Sequence, residues 1–171
     1  MLKLDLAELE RAGQVELEGV LPPDDPVWAE TGFRFTEPVF VRLAARPTAS
    51  GEVLVRGSIE AHLGTECRRC TQPVTVDLDE EVGILFSPPD QLAPEDRGGE
   101  VRLLDPEGNL LDLSEAIREE LVLSVPAWVV CDPGCKGLCP VCGVNWNEEA
   151  CDCDTSEPDP RWEALRSLTE E

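Results

Sequence analysis

The sequence contains one histidine, few basic residues and no long apolar run, and each shortage excludes a class of protein. The single histidine, His62, lies on the polar side of an alternating segment. The chain has neither a G-x-S-x-G nucleophile motif nor a glycine-rich phosphate loop, so an enzyme is the least expected class. Only 14 Lys and Arg accompany 36 Asp and Glu, and the net charge of -22 repels nucleic acid at long range.

Membrane and secretion signals are also missing. No apolar run approaches the roughly 20 residues of a transmembrane helix. Residues 1–14 lack the apolar segment and the small-residue cleavage site of a secretory signal peptide. These absences predict a cytoplasmic protein with no membrane partner. The 171 residues suffice for one well-packed domain, or for one domain plus a small lobe held together by metal, and we expect the second arrangement.

Cysteine is what the chain has in quantity. Six of the eight cysteines lie between residues 131 and 153, and the other two lie in the string Cys67-Arg68-Arg69-Cys70. Two cysteines separated by two residues place their sulfurs one tight turn apart, close enough to bind the same zinc ion. Cytoplasmic thiols stay reduced, so the clustering favours metal ligation. Disulfide bonding is the alternative, because eight is an even number and a secreted protein could pair all of them.

Loop length suggests how eight thiols divide into two four-sulfur sites. One local C-x2-C-x8-C-x-C set closes with little loss of chain entropy, and it comprises Cys139, Cys142, Cys151 and Cys153. The remaining thiols would form a second site, made of Cys67, Cys70, Cys131 and Cys135. Four thiolates give a closed structural site that lacks the open position needed for catalysis. We therefore expect one or two zinc ions with a structural role.

Other ligand arrangements are compatible with the same spacing. In an interleaved arrangement, the two cysteines of the CRRC string share one ion with Cys139 and Cys142. A second ion is then shared by Cys131, Cys135, Cys151 and Cys153. A single occupied site with spare cysteines is a further alternative. An iron–sulfur cluster is the chemical alternative to zinc.

Alternating apolar residues predict four β-strands. Two of them cover residues 14–20 and 39–45, and the clearest alternation covers residues 52–63. A fourth strand over residues 74–86 is interrupted at Glu80 by a bulge or an exposed strand end. The last two strands form a long hairpin with the CRRC string at its tip. Residues 2–12 predict a short edge strand and a helical turn.

Two helices are predicted in the second half of the chain. Asp112 and Glu115 match a capping box for a helix that ends at Pro126. Its apolar face carries Leu113, Ala116, Ile117 and Leu121. A last helix begins at Asp159, with proline in its first position. Residues 87–100 are rich in proline, glycine and acidic residues and predict a loop or linker.

These elements predict an α+β fold with an antiparallel β-sheet, a long hairpin, one covering helix and a cysteine-rich, zinc-binding carboxy-terminal lobe. We expect residues 1–126 to form the sheet domain with its covering helix. Residues 127–171 are expected to form the metal lobe and the carboxy-terminal helix, packed on the hairpin tip at residues 64–73.

Two strings in this sequence resemble a known family. The string CKGLCPVCGVN at residues 135–145, followed by Cys151-Asp152-Cys153, resembles the carboxy-terminal signature of the YceD family. Residues 57–63, leading to the CRRC string, resemble the central hairpin motif of that family. The resemblance implies a cytoplasmic, non-enzymatic factor in ribosome biogenesis that supports accumulation of large-subunit (23S) ribosomal RNA. It also implies that the cysteines are zinc ligands.

Two classes of partner follow from this interpretation. Charges are screened beyond roughly 8 Å at physiological salt, so a local basic patch can contact ribosomal RNA on an acidic protein. Arg68, Arg69 and Lys136 lie in the ligand loops and are the candidate nucleic-acid contacts, unless they only offset thiolate charge. The alternative partner is a basic ribosomal protein, for which the acidic surface would act as a chaperone or adaptor, with zinc purely structural.

The four tryptophans are expected to be packing residues rather than platforms for stacked bases. They are Trp28, Trp128, Trp146 and Trp162, of which Trp146 lies beside the proposed ligands.

Overall fold

The computed structural model describes residues 2–90, 101–104 and 108–155. The chain divides into two compact units. The sheet unit comprises residues up to 65 together with 75–127, and the cysteine unit comprises residues 66–74 together with those from 128 onward. The carboxy-terminal helix predicted from Asp159 and most of the predicted linker lie outside the described residues.

The described residues contain eight strands and two α-helices. The strands are β1 (Lys3–Asp5), β2 (Val15–Leu21), β3 (Arg34–Phe35), β4 (Val39–Pro47), β5 (Val53–Glu66), β6 (Pro73–Ser87), β7 (Arg102–Leu103) and β8 (Leu110–Asp112). The helices are α1 (Leu6–Ala12) and α2 (Ser114–Ser124), and a 3₁₀ turn covers Pro26–Trp28. No helix in the described part of the chain is both long enough and apolar enough to cross a bilayer.

The main sheet has the strand order β2-β4-β5-β6-β7, and the short β3 also pairs with β5. The pairs β2/β4, β3/β5 and β4/β5 are antiparallel, whereas β7 adds to β6 in parallel. β1 and β8 form a separate antiparallel ribbon. The predicted α+β fold, with an antiparallel sheet, a long hairpin and a covering helix, is confirmed.

Alternation along the strands separates core residues from solvent-facing residues, as the period of two requires. On β4, Val39, Val41 and Leu43 are buried, and Phe40 between them is 44% exposed. On β5 the buried side chains continue from Val53 to Leu63 at every second position, except at Gly57, which is half-buried. α2 adds Ala116, Ile117 and Leu121 to the same core. The apolar faces predicted for these elements are therefore correct.

The core also holds the first tryptophan. Trp28 is buried, and its ring centroid lies 4.6 Å from that of Phe35. Its Nε1–H donates to the carbonyl oxygen of Pro22 at 3.0 Å, so the one polar group of the ring is satisfied.

Two local predictions are wrong. The strand-end alternative at Glu80 is wrong, because β6 runs through this residue, which is half-buried in phase with Leu78 and Val82. The bulge alternative stays a prediction. The predicted capping box is also absent. The carboxylate of Asp112 accepts from the backbone N–H of Ser114, two residues on, at 2.9 Å. Glu115 instead bonds the guanidinium of Arg118 at 2.6 Å, because that cation lies one turn further along the same helix.

The histidine belongs to an exposed polar cluster. His62 Nδ1 lies 2.8 Å from Asp77 Oδ1 on β6, and Nε2 lies 3.9 Å from a carboxylate oxygen of Glu37. The hydrogen bond to Asp77 raises the pKa of His62 above its usual value. This is the polar environment expected for a histidine on the solvent side of a strand.

At Gly57 the backbones of β4 and β5 leave no room for a side chain. A Cβ atom added there would lie 1.9 Å from the carbonyl oxygen of Arg42 and 2.8 Å from the Cα of Leu43. These are backbone atoms, so the two strands would have to separate. We predict that Gly57→Ala lowers the free energy of unfolding by about 2 kcal/mol or more, measured by urea denaturation. Gly83→Ala on β6 is the control, because nothing lies within 4 Å of its added Cβ. Equal stability of the two variants would contradict this account of the sheet.

Candidate metal centre

The CRRC string forms a tight turn between β5 and β6. The backbone N–H of Cys67 donates to the carbonyl oxygen of Gln72 at 2.8 Å, and its carbonyl oxygen accepts from the N–H of Thr71 at 2.9 Å. The N–H of Arg69 points at the Cys67 sulfur, 3.4 Å away. Thr71 has a φ of 60°, an uncommon angle for a β-branched residue. We call residues 67–72 the first knuckle.

Residues 139–144, the second knuckle, repeat this pattern bond for bond. The N–H of Cys139 donates to the carbonyl of Val144 at 2.9 Å, and its carbonyl accepts from the N–H of Gly143 at 2.9 Å. The N–H of Val141 lies 3.4 Å from the Cys139 sulfur. Gly143, at a φ of 77°, occupies the position that Thr71 fills in the first knuckle. The sequence shows only the shared C-x2-C spacing, whereas the backbone shows two copies of one turn.

Four sulfurs meet at the first knuckle. The Sγ atoms of this first cluster all lie within 4.8 Å of one another, and they belong to Cys67, Cys70, Cys131 and Cys135. Cys67 and Cys135 are separated by 3.8 Å between sulfurs, and Cys70 and Cys131 by 3.6 Å. A disulfide bond would bring two sulfurs to about 2.05 Å, so these are free thiols.

The second knuckle carries an equivalent group. The Sγ atoms of this second cluster also lie within 4.8 Å of one another, and they belong to Cys139, Cys142, Cys151 and Cys153. Both clusters are therefore grouped as loop length suggests, and the interleaved arrangement is not the one that the chain adopts.

The sulfur spacing fits a single tetrahedral ion. Zinc–sulfur bonds of about 2.3 Å at tetrahedral angles place neighbouring sulfurs about 3.8 Å apart. The separations of 3.8 and 3.6 Å in the first cluster match this value. The first cluster could therefore hold one metal ion, and the sulfurs of the second cluster also lie close enough together for one.

The two clusters differ in burial. In the first cluster Cys67, Cys70 and Cys135 are buried, and only Cys131 is exposed. Val74, Val130 and Leu138 pack around those three sulfurs. In the second cluster only Cys139 is buried, and Cys142 is exposed. Solvent therefore reaches more of the second cluster.

Side-chain N–H groups also reach the sulfurs. Asn147 Nδ2 lies 3.3 Å from the sulfur of Cys135, and Trp146 Nε1 lies 3.3 Å from that of Cys151. Such donors stabilise a thiolate and orient it towards a metal. The sequence interpretation missed Asn147, although the string Asn145-Trp146-Asn147 between cysteines was the available signal.

The same turns favour ionisation of one thiol in each knuckle. The backbone N–H of Cys142 lowers the pKa of Cys139 to about 6, against the opposing effect of burial. Burial opposes ionisation of Cys67 too, yet backbone N–H groups, including those of Cys70 and Arg69, lower its pKa to about 6. Each cluster thus contains a thiolate near neutral pH.

The neighbouring thiols keep their protons. Hydrogen bonding to Cys70 raises the pKa of Cys131 to about 12, and hydrogen bonding to Cys142 raises that of Cys153 to about 12. Four thiolates crowded together would repel one another, so one or more protons stay in each cluster until a cation replaces them.

This proton distribution predicts the pH dependence of metal binding. A metal ion must displace at least one proton from each cluster at neutral pH, since Cys131 and Cys153 are protonated there. The apparent affinity should therefore fall at least about tenfold per unit as the pH is lowered from 8 to 7. Competition with a zinc chelator across this range measures the effect. An affinity that does not change with pH would contradict the proton distribution.

The three basic residues named from the sequence lie in the cysteine unit, and all are exposed. The guanidinium of Arg69 donates to the carbonyl oxygen of Cys135 at 2.8 Å, so this side chain ties the CRRC turn to the other ligand loop. The backbone N–H of Arg68 donates to the carbonyl of Val129 at 2.8 Å, and that of Lys136 to Asn147 Oδ1 at 2.9 Å. Backbone hydrogen bonds therefore hold Arg68 and Lys136 in the ligand loops, and both residues are exposed.

The tryptophans behave differently from one another. Trp146 is half-buried and bonds the second cluster, as a lobe-packing residue should. Trp128 is 64% exposed, so its expected packing role is wrong. It directly precedes Val129, whose carbonyl oxygen accepts from the backbone N–H of Arg68. Trp162 lies outside the described residues.

The fold and the site together define a β-sheet protein with two four-thiol clusters that could each hold a metal ion. The chain belongs to the family described as Large ribosomal RNA subunit accumulation protein YceD, whose sequence profile matches residues 55–169. That range includes both knuckles and all eight cysteines.

Several curated proteins are similar to this chain. Proteins of Mycobacterium bovis and Mycobacterium tuberculosis, both named as uncharacterized, are 35% identical over 122 residues, covering 69% of this chain and 56% of each relative. The chain therefore spans a little over half the length of these relatives. A protein of Arabidopsis thaliana named "Large ribosomal RNA subunit accumulation protein YCED homolog 1, chloroplastic" is 38% identical over 66 residues, 39% of this chain and 21% of that protein. No solved structure matches.

Proposed function

We propose that this protein is a non-enzymatic, zinc-binding factor of ribosome biogenesis that supports the accumulation of large-subunit ribosomal RNA. The observation that carries the proposal is the presence of two four-thiol clusters in a member of a family named for ribosomal RNA accumulation. We place its action in the cytoplasm, where large subunits are assembled. The proposed zinc ligands are the eight cysteines of the two clusters.

Zinc fits the donor set better than an iron–sulfur cluster. In such a cluster the thiolates bind different iron atoms, which requires a wider spacing of the sulfurs than ligation of one ion. Sulfurs that all lie within 4.8 Å of one another suit a single tetrahedral ion. Four thiolates leave no open coordination position, so the ion would supply stability and shape rather than chemistry.

The structural role follows from the position of the ligands in the chain. The first cluster takes two sulfurs from residues 66–74 and two from the segment that begins at residue 128. Zinc would therefore fasten two distant pieces of chain into one unit. The exposed Arg68, Lys136 and Trp128 belong to that unit, so their arrangement depends on it.

Metal content is the direct test of this proposal. Protein purified without added metal should contain two zinc ions per chain by elemental analysis, and no inorganic sulfide. The replacement of Cys67 and Cys70 by serine should remove one ion, and so should that of Cys139 and Cys142. Removal of the metal by a chelator should take away about 10 kcal/mol of stabilisation per site and loosen the cysteine unit. Iron with sulfide, or a cysteine unit that keeps its structure without metal, would refute the zinc proposal.

Two partners are compatible with this role. Ribosomal RNA would bind through phosphate contacts to Arg68 and Lys136, with Trp128 available for stacking on a base. A basic ribosomal protein would bind through the acidic surface, and the net charge of -22 favours this second candidate at long range. Arg69 is left out of the RNA surface, because its guanidinium is bonded to the carbonyl of Cys135.

The RNA contact can be tested without disturbing the metal site. We expect Arg68→Ala with Lys136→Ala to weaken binding of ribosomal RNA fragments and to reduce the salt slope by about 2, one for each lost phosphate contact. Filter binding over a salt series measures both. The control is Lys3→Ala with Arg34→Ala, which removes the same charge from exposed positions of the sheet unit.

If the variant and its control bind the ribosomal RNA fragments with equal affinity, Arg68 and Lys136 do not contact RNA. A complex with a ribosomal protein that resists RNase and dissociates at high salt would support the chaperone or adaptor instead.

A further inference from the structure

A single loop carries hydrogen-bond donors to both clusters. Asn147 Nδ2 donates to the sulfur of Cys135 in the first cluster, and Trp146 Nε1 donates to the sulfur of Cys151 in the second. Both separations are 3.3 Å. Adjacent residues therefore serve one sulfur in each cluster, although the loop belongs in sequence to the second cluster, between Cys142 and Cys151.

The amide of Asn147 is held at both ends. Its Oδ1 accepts from the backbone N–H of Lys136 at 2.9 Å, so its Nδ2 must face the sulfur of Cys135. The oxygen of the Asn145 amide accepts from Nδ2 of Asn147 at 2.7 Å and from its backbone N–H at 3.1 Å. The orientation of this donor is therefore set by the loop itself.

The loop in turn depends on the second knuckle. Leu138 and Asn145 form an antiparallel bridge, and the N–H of Trp146 donates to the carbonyl of Gly137 at 3.0 Å. These contacts close the base of the knuckle, and beyond the loop Cys151 and Cys153 join the second cluster. The loop is also linked to the first knuckle, because the side-chain amide of Gln72 donates to the carboxylate of Glu148.

We propose that Asn147 couples the two metal centres, so that an ion in the second cluster raises the affinity of the first. The ion would fix both ends of the loop, and the fixed loop presents the Asn147 amide to the Cys135 thiolate. Asn147 is a positioning residue and not a ligand. The inference rests on the proposed binding of one metal ion by each cluster.

Two quantitative consequences follow. Loss of a hydrogen bond to a metal ligand typically lowers metal affinity about 10- to 100-fold, and this range is expected for Asn147→Ala at the first cluster. Coupling between two binding sites is reciprocal. Emptying the first cluster should therefore weaken the second by the same factor by which emptying the second weakens the first.

The test is a double-mutant cycle on the full chain, with cadmium as the probe. Cadmium NMR resolves the ions in the two clusters, and competition with a chelator gives an affinity for each. The first change is Asn147→Ala, and the second replaces Cys139 and Cys142 by serine to empty the second cluster. Asn109→Ala, at an exposed position of the sheet unit, is the control and should alter neither affinity.

We expect each change to lower the cadmium affinity of the first cluster by a similar factor. The protein that carries both changes should bind cadmium at that cluster no more weakly than either single variant. Asn147→Asp keeps the acceptor for Lys136 and should fail to restore the affinity, which separates loss of the donor from loss of folding. If the two changes lower the affinity of the first cluster by factors that multiply, or if Asn147→Ala leaves that affinity unchanged, the coupling is overturned while the metal proposal stands. A wild-type protein that binds no metal would overturn both.

Discussion

The convergence of four sulfurs at the spacing of one ion is the constraint on which the cysteine unit depends. Around the first cluster, the packed apolar side chains are only partly buried, at Val74, Val130 and Leu138. Such a small apolar core cannot offset the conformational entropy of two chain segments that are distant in sequence. Metal–thiolate bonds would supply the missing free energy, as they do in small domains of this size. The sheet unit needs no such help, because its strands and α2 bury a continuous core.

Much of the fold was predictable because alternation reports burial directly. On β4 and β5 the apolar residues at every second position form the core, apart from the half-buried Gly57, so the strands and their inward faces follow from the sequence. The grouping of sulfurs was also favoured in advance, since the cysteines from 139 to 153 close a short loop at low entropic cost. In both cases a local property of the chain determines the outcome.

What the sequence could not indicate depends on contacts between distant segments. Asp112 and Glu115 have the residue types of a capping box, but Arg118 competes for the glutamate. Trp128 is a large apolar residue of a type that usually packs in a core, yet it is exposed, because burial is decided by what surrounds the ring. Asn147 is one of several polar loop residues, and only the folded chain brings its amide to Cys135. Hydrogen bonds of this kind have no periodic signal.

X-ray absorption at the metal edge of the purified protein tests most directly whether each cluster surrounds one metal ion with four cysteine sulfurs. The account predicts zinc with four sulfur neighbours at about 2.3 Å and no second metal within bonding range. Nitrogen or oxygen ligands in place of sulfur, a metal–metal distance, or cysteines joined in disulfides would contradict it.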